Sequence, residues 1–496
     1  MTPSIVRARR LTLLATGLGS ALAFLDATVV IVALPRIEVD LGLGLAGQQW
    51  VVLGYSLALS ALLLVGGAAG DRLGLRRTFT VGVVVFAVAS LGCAVAPGAS
   101  LLLAARVLQG VGAAALTTTS LALLRVVWAE EAGRAIGLWT SLTAMATVAG
   151  PPLGGLLVEL VSWRWIFIIN IPLAVVVVGL ALAGRTDDEG AHAGGKLDPV
   201  GSVLAAVGLA GVTFALVEAR ERDLGVVLAV GAVGLVALLG LLAWTLRSAD
   251  PLMPPRLLRL RGIAAANTAT LIIYAALGVN FFFLPVYLQY LGLSPTVAGL
   301  VFVPPSVSLI LLAPRFGRYA DRNGARLPVT AGAVGIAASA LLLLPVGDRA
   351  DVWTWGVVSV AIFSLSLAAL VAPITAAALS PATDDLAGIA SGLNQAVARV
   401  GGVLSVAGVG ALAGWVYARQ GGGAAAPFDP ETLGAFGEAA TDSFRVAMLG
   451  VVSLAILGAA VAGTMLDGGR VGERVAVPQL EVEPTVSPSP QTGPGA

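Results

Sequence analysis

About fourteen apolar runs, each long enough to cross a bilayer, follow one another along this chain with only short polar gaps between them. They lie near 11–34, 48–70, 78–98, 101–124, 135–160, 164–184, 198–218, 224–246, 263–288, 294–314, 327–346, 353–378, 387–416 and 445–466. The hydrocarbon core takes roughly 20 mostly apolar residues per crossing. Every backbone N–H and C=O inside it must be satisfied by the chain itself, which leaves helices or closed barrels. The runs are built from Gly, Ala, Leu and Val without alternation, so they predict helices and not barrel strands. Only 11% of residues are charged, against about a quarter in soluble domains. The expected fold class is an all-α integral membrane protein.

One polar gap is written twice. Gly67, Asp71, Arg72 and Gly74, followed by Arg76 and Arg77, recur as Gly317, Asp321, Arg322 and Gly324, followed by Arg326, at a constant spacing of 250. Each copy sits between two apolar runs. A repeated basic turn of this kind predicts a transporter made of two related halves. The copies bracket eight runs, whereas two six-helix halves need six, so two central helices are inserted. The expected organisation is a first six-helix bundle over 1–184, an inserted helix pair with its flanking loops over 185–261, a second bundle over 262–466 and a disordered tail over 467–496.

Basic residues gather on one side. With both termini placed inside, only Arg36, Arg164, Arg220, Arg222, Arg349, Arg419 and Arg445 fall in outer loops. That bias orients the chain with both ends in the cytoplasm. Arg7, Arg9 and Arg10 before the first apolar run imitate a secretory signal, but thirteen further runs favour an uncleaved first helix. Cys93, the only cysteine, can form no internal disulfide and reads as a small core residue.

Three nucleotide-binding look-alikes fail on context. Gly42-x-Gly44-x-x-Gly47 has no preceding strand, and Gly110 and Gly112 fall inside a predicted span. Gly190 to Lys196 imitates a phosphate loop, but Leu197 stands where a hydroxyl would hold magnesium. No ATP site, nucleic-acid site, metal site or other cofactor is expected. His192, the only histidine, lies in a hydrophilic loop and reads as solvated.

Charge inside the spans is the chemical signal. Asp26 is the only acid placed there. A carboxylate at that depth costs roughly 2.5–3.5 kcal/mol on insertion scales and faces a cavity or a partner. Arg106, in the middle of the fourth run, is its natural counterpart. The pair reads either as a reversible protonation site or as a static tie between helices 1 and 4. Arg399 in the thirteenth run lies nearer the inner end and either snorkels or faces the interior. In the fifth run, Ala146, Gly150 and Gly154 recur every four residues beside Pro151 and Gly155. They make a smooth contact face with a built-in bend, a candidate hinge or seal.

Taken together these motifs resemble those of the major facilitator superfamily, and within it the fourteen-spanner drug:proton antiporters. Asp71 to Arg77 is similar to that family's helix 2–3 loop, with Leu75 where a basic residue is common. Arg106-x-x-Gln109-Gly110-x-Gly112 is similar to the helix 4 motif associated with proton coupling, and Ala146 to Gly155 to the exporter motif of helix 5, with Ala146 replacing a glycine. Leu25-Asp26-x-Thr28, Ala33-Leu34-Pro35 and Trp163-Arg164-Trp165-Ile166-Phe167 with Asn170 and Pro172 are similar to subfamily signatures in helices 1 and 5–6. Ile31 departs from the pattern, standing where asparagine is usual, and helix 10 carries no acid between Leu300 and Leu312. A strongly cationic cargo is therefore not expected.

The resemblance implies a major facilitator fold in a bacterial cytoplasmic membrane. It implies export of small, largely hydrophobic compounds such as drugs or antibiotics, by a monomer whose partners are its substrate, protons and the lipid bilayer. Asp26 and Arg106 would couple to protons, and the Asp71 and Asp321 turns, with Arg76, would gate the inner side. Tyr55, Gln109, Tyr274, Asn280 and Phe282 are the candidate substrate contacts, each also explicable as ordinary helix packing. The alternative readings are a transporter for one metabolite or nutrient, working as an uptake symporter, and a sensor built on a transporter fold. No enzymatic activity is expected.

Overall fold

The computed structural model describes residues 3–128, 132–184, 198–219, 222–248, 260–379, 387–420, 428 and 433–466. Among them we number fourteen helices: α1 (Pro3–Leu41), α2 (Gly44–Leu73), α3 (Leu75–Ala94), α4 (Ala99–Val127), α5 (Ala132–Leu160), α6 (Trp165–Ala183), α7 (Pro199–Val217), α8 (Leu224–Arg247), α9 (Arg261–Tyr290), α10 (Pro295–Asn323), α11 (Arg326–Leu342), α12 (Arg349–Ala378), α13 (Ala387–Arg419) and α14 (Leu433–Met465). Eleven are long and apolar enough to cross a membrane, and α5 and α11 carry shorter apolar stretches, Met145–Leu160 and Arg326–Leu342. Several helices outrun the apolar stretch that predicts them. α1 begins at Pro3, ahead of the expected 11, because helical hydrogen bonding continues past the hydrocarbon into its basic start. The polar loop holding His192 and Lys196 and the tail from 467 lie outside the described residues.

The spacing of 250 is written into the packing. α4 lies against α2 and α3, and α12 against α10 and α11. α1 lies against α5 and α6, and α9 against α13 and α14. Gly74 and Gly324, equivalent in the two basic turns, share one unusual backbone, with φ of 93° and 88° and ψ of 131° and 155°. Only glycine reaches that region cheaply, which is why both turns carry it. α7 and α8 close on each other where Gly211 meets Gly234, as small residues allow in lipid. Trp244 adds a 2.8 Å bond to the α7 cap, Asp198. α7 packs on α2 of one half and α13 of the other, so the inserted pair flanks the seam between the halves, while α8 turns residues such as Val236 outward, 67% exposed.

The halves are joined at the end opposite the basic turns. Gln289 on α9 donates to the Val32 carbonyl on α1 (3.0 Å). Gln49 on α2 donates to the Val406 carbonyl on α13 (2.8 Å), and the Thr296 backbone N–H donates to Glu159 on α5 (3.3 Å). α5 and the start of α10 touch backbone to backbone: a side chain at Gly155 would meet the Pro295 carbonyl at 2.5 Å, and one at Gly299 would run into the carbonyl of Pro151. Toward the basic turns α4 and α12 keep to their own halves. The structure is thus closed at one end of the seam.

Candidate functional site

Asp26, on α1, is fully buried and so is Arg106, on α4. Their side chains meet at 2.5 Å, Arg106 Nη1 donating to Asp26 Oδ2. The same guanidinium group donates through Nε to the Val51 carbonyl on α2 (2.8 Å) and through Nη1 to Gln109 Oε1 (2.8 Å). Gln109 Nε2 donates to Asp26 Oδ1 (3.1 Å) and to Ser90 Oγ (2.8 Å). Asn170, at the α6 bend, supplies a further donor to Asp26 Oδ1 at 2.8 Å. The planar cation lies 4.6 Å from the Tyr55 ring centroid and 5.8 Å from that of Phe167, a stacking that suits a desolvated arginine.

Sequence explains the assembly. Arg106 and Gln109 are three apart and so share one face of α4. Gly110 next to them lets α2 approach until a side chain there would strike the Tyr55 carbonyl at 2.5 Å. Gly112 likewise admits α3 at Phe86 and Gly82, which brings Ser90 within reach. A buried ion pair of this kind holds only because further hydrogen bonds satisfy it, and breaking one partner away costs about 3–5 kcal/mol. Two polar atoms stay unpartnered in the cluster, Arg106 Nη2 and Asn170 Oδ1.

The remaining predicted residues divide. Gln109 belongs to this network, so its amide is already committed and it is not a free substrate contact. Tyr55 covers Arg106 and donates to the Ala23 carbonyl at 3.0 Å. Tyr274 is half-buried beside the core. Asn280 and Phe282 lie away from Asp26. Asn280 borders a small void with Leu284, Phe302 and Phe363 inside the second half, and Phe282 stacks edge-on with Phe283 in the buried aromatic core. Depth in the span placed them with Tyr55, but helix rotation turns them elsewhere. Ser90 carried no signal in the sequence, and Asn170 appeared only within a signature.

Of the helix 5 residues, Gly150 and Gly154 face Thr28 and Val29 on α1 within the same half, whereas Gly155 and Pro151 face α10 of the other. Of these four, the latter two lie on the seam. In the basic turns, Asp321 and Arg322 are exposed, as is Arg72, and Gly67 and Gly317 meet α4 and α12 at ordinary distances. The side chain of Asp71 lies outside the described residues. Arg76 is buried: it donates to the Ala181 carbonyl and to Thr12 Oγ1 at 2.8 Å. It therefore ties α3 to α1 and α6 within the first half. At the spacing of 250, Asp26 corresponds to Ala276 and Arg106 to Gly356, so the ion pair exists in one half only. Among the described residues no cluster of His, Cys, Asp or Glu could hold a metal ion.

Duplicated six-helix halves, a helix pair between them and a charged cluster buried at membrane depth define a multi-span membrane transporter. The chain belongs to the Major Facilitator Superfamily, whose profile matches residues 16–406. It is 34% identical to the multidrug resistance protein Stp of Mycobacterium tuberculosis over 422 residues, covering 83% of this chain and 77% of that one. It is also 34% identical to the tetracenomycin C resistance and export protein of Streptomyces glaucescens over 409 residues, covering 81% and 75%. A bacterial homologue of the human lysosomal transporter Spinster shares the fold, with a TM-score of 0.64 at 18% identity, covering 93% of this chain and 97% of that one.

Proposed function

We propose that this protein is a proton-coupled exporter of small hydrophobic compounds, working as a single chain in a bacterial cytoplasmic membrane with both termini in the cytoplasm. The observation that carries this reading is the buried Asp26–Arg106 pair and its position beside the seam. Asp26 is six residues from Val32, about 9 Å along α1, and the Val32 carbonyl accepts one of the bonds that close the far end. Arg106 holds Val51, two residues from Gln49, which makes another. The exposed basic turns mark the cytoplasmic side, so the closed end is the external one and the structure represents the inward-facing state.

In that state Asp26 is charged and matched by Arg106. A proton arriving when the external end is open neutralises the carboxylate and removes its attraction for the guanidinium. Asn170 can serve both forms. Its Nδ2 donates to the carboxylate as seen, and rotation of the amide by half a turn would present its unpartnered Oδ1 to the acid's O–H. Protonation and deprotonation thereby change what α1 and α4 gain from each other, which biases the two access states. Each proton moving inward gains about 2.3 kcal/mol per 100 mV, enough for tens-fold accumulation of cargo.

Inside-out vesicles with an imposed pH gradient test the reading. Substrate such as a hydrophobic dye should accumulate in them and release protons. Movement of cargo in the same direction as the protons would establish an uptake symporter instead.

A further inference from the structure

A second cation lies at the same depth as Arg106 and is left without a counter-charge. Arg399 is twelve residues from the start of α13, about 18 Å along the helix. α2 and α13 are antiparallel and in contact, with Gln49 bonded to Val406. Six residues along α2 from Gln49 is Tyr55. Seven residues back along α13 from Val406 is Arg399. The displacements are about 9 and about 10.5 Å toward the basic turns, so the two residues lie at one level, and Arg399 lies within electrostatic reach of Tyr55.

Tyr55 therefore stands between two guanidinium groups. Arg106, on one side, is neutralised by Asp26. Arg399, on the other, makes neither a hydrogen bond nor an ion pair among the described residues and is only partly covered by protein. From the elements packed around α13 no acid comes to its depth. Glu218 of α7's end and Asp442 of α14 lie at the closed end, Asp351 lies at the start of α12, and Asp198 caps α7 at the other end. A charge at membrane depth is expensive unless it meets a partner, and among the described residues none meets Arg399.

We infer that Arg399 receives an acidic group of the cargo, a carboxylate or phenolate, where α13 meets α2. The guanidinium fork binds such groups through paired charge-assisted hydrogen bonds, and the apolar surroundings of a half-buried site favour a hydrophobic body attached to them. The exported compounds are accordingly hydrophobic acids. This deepens the export reading and rests on it for the word cargo.

The test uses the purified full-length protein and a matched fluorescent pair, 9-anthracenecarboxylic acid and its methyl ester. The acid should bind at least about tenfold tighter than the ester, a difference of about 1.4 kcal/mol. In Arg399→Gln that ratio should fall toward one, and Arg399→Lys should keep part of it. If Arg399→Gln fails to fold, the wild-type ratio and the lysine variant still decide. A wild type that prefers the ester or binds neither probe overturns the assignment, as does an Arg399→Gln variant that loses both probes alike. Proton release driven by the ester in proteoliposomes tests the transport reading separately. Pumping without acid preference refutes Arg399's role alone, and acid preference without pumping refutes transport alone.

Discussion

Gly155→Ala should unbalance the two access states without disturbing either half. The added methyl would lie 2.5 Å from the Pro295 carbonyl and 2.6 Å from the Thr296 Cα. Both are backbone atoms and cannot rotate away, so α5 and α10 must separate by several tenths of an ångström to restore ordinary contact. Overpacking of this sort costs about 1–3 kcal/mol. Because the contact exists only while the external end is closed, the cost falls on that state alone. A penalty of about 2 kcal/mol shifts the ratio of the two states roughly thirtyfold. Gly179→Ala is the matched control: nothing lies within 4 Å of its new methyl, so it should leave the ratio alone. Spin labels on cysteines replacing Leu160 and Trp353, which are 75% and 62% exposed, in a Cys93→Ala background, report the separation at the closed end. The distance distribution should lengthen in Gly155→Ala and not in Gly179→Ala, and export should slow. Identical distributions in the two variants would refute the argument that this glycine seals the seam.

Other substitutions probe the cluster and the turns. Asp26→Asn should abolish substrate-driven proton release from proteoliposomes and lower the melting temperature, since it strands Arg106 at a cost of about 3–5 kcal/mol; normal proton release would remove the coupling role. Asn170→Leu deletes a donor to the carboxylate and should cut proton-driven export about tenfold or more while Asn170→Gln retains part of it; an unchanged rate in the leucine variant would make the amide incidental. Gly74→Ala and Gly324→Ala should each destabilise the protein by about 1–3 kcal/mol, because alanine must occupy a glycine-only backbone region, and thermal unfolding in detergent would show no change if the turns relax freely.

The membrane made much of the fold legible in advance. Lipid permits few backbone solutions, so apolar runs translate directly into helices, and the spacing of 250 announces how those helices pair. That Asp26 and Arg106 meet was also readable, because an acid and a base at matching depth have few other partners. Ser90 was not readable, since a lone hydroxyl in a helix satisfies itself on its own backbone, as Ser90 also does with the Phe86 carbonyl at 2.8 Å. The surroundings of Asn280 and Phe282 were hidden for a different reason. Position along a span fixes depth but not rotation, and small differences in helix orientation decide whether a side chain meets the seam or the interior of its own half. The burial of Arg76 was hidden as well, because it depends on Thr12 and Ala181, far away in sequence.

The absence of a second ion pair, with Ala276 and Gly356 at the positions that match Asp26 and Arg106, divides the labour between two copies of one scaffold. On the proposed mechanism the first copy is the engine, and its interior should tolerate little change. The second, bearing Arg399, would be released from that duty and free to vary with what is carried. Chimaeras are the natural consequence: joining residues 1–259 of this chain to the second half of a relative with different cargo should transplant selectivity while the proton drive stays behind.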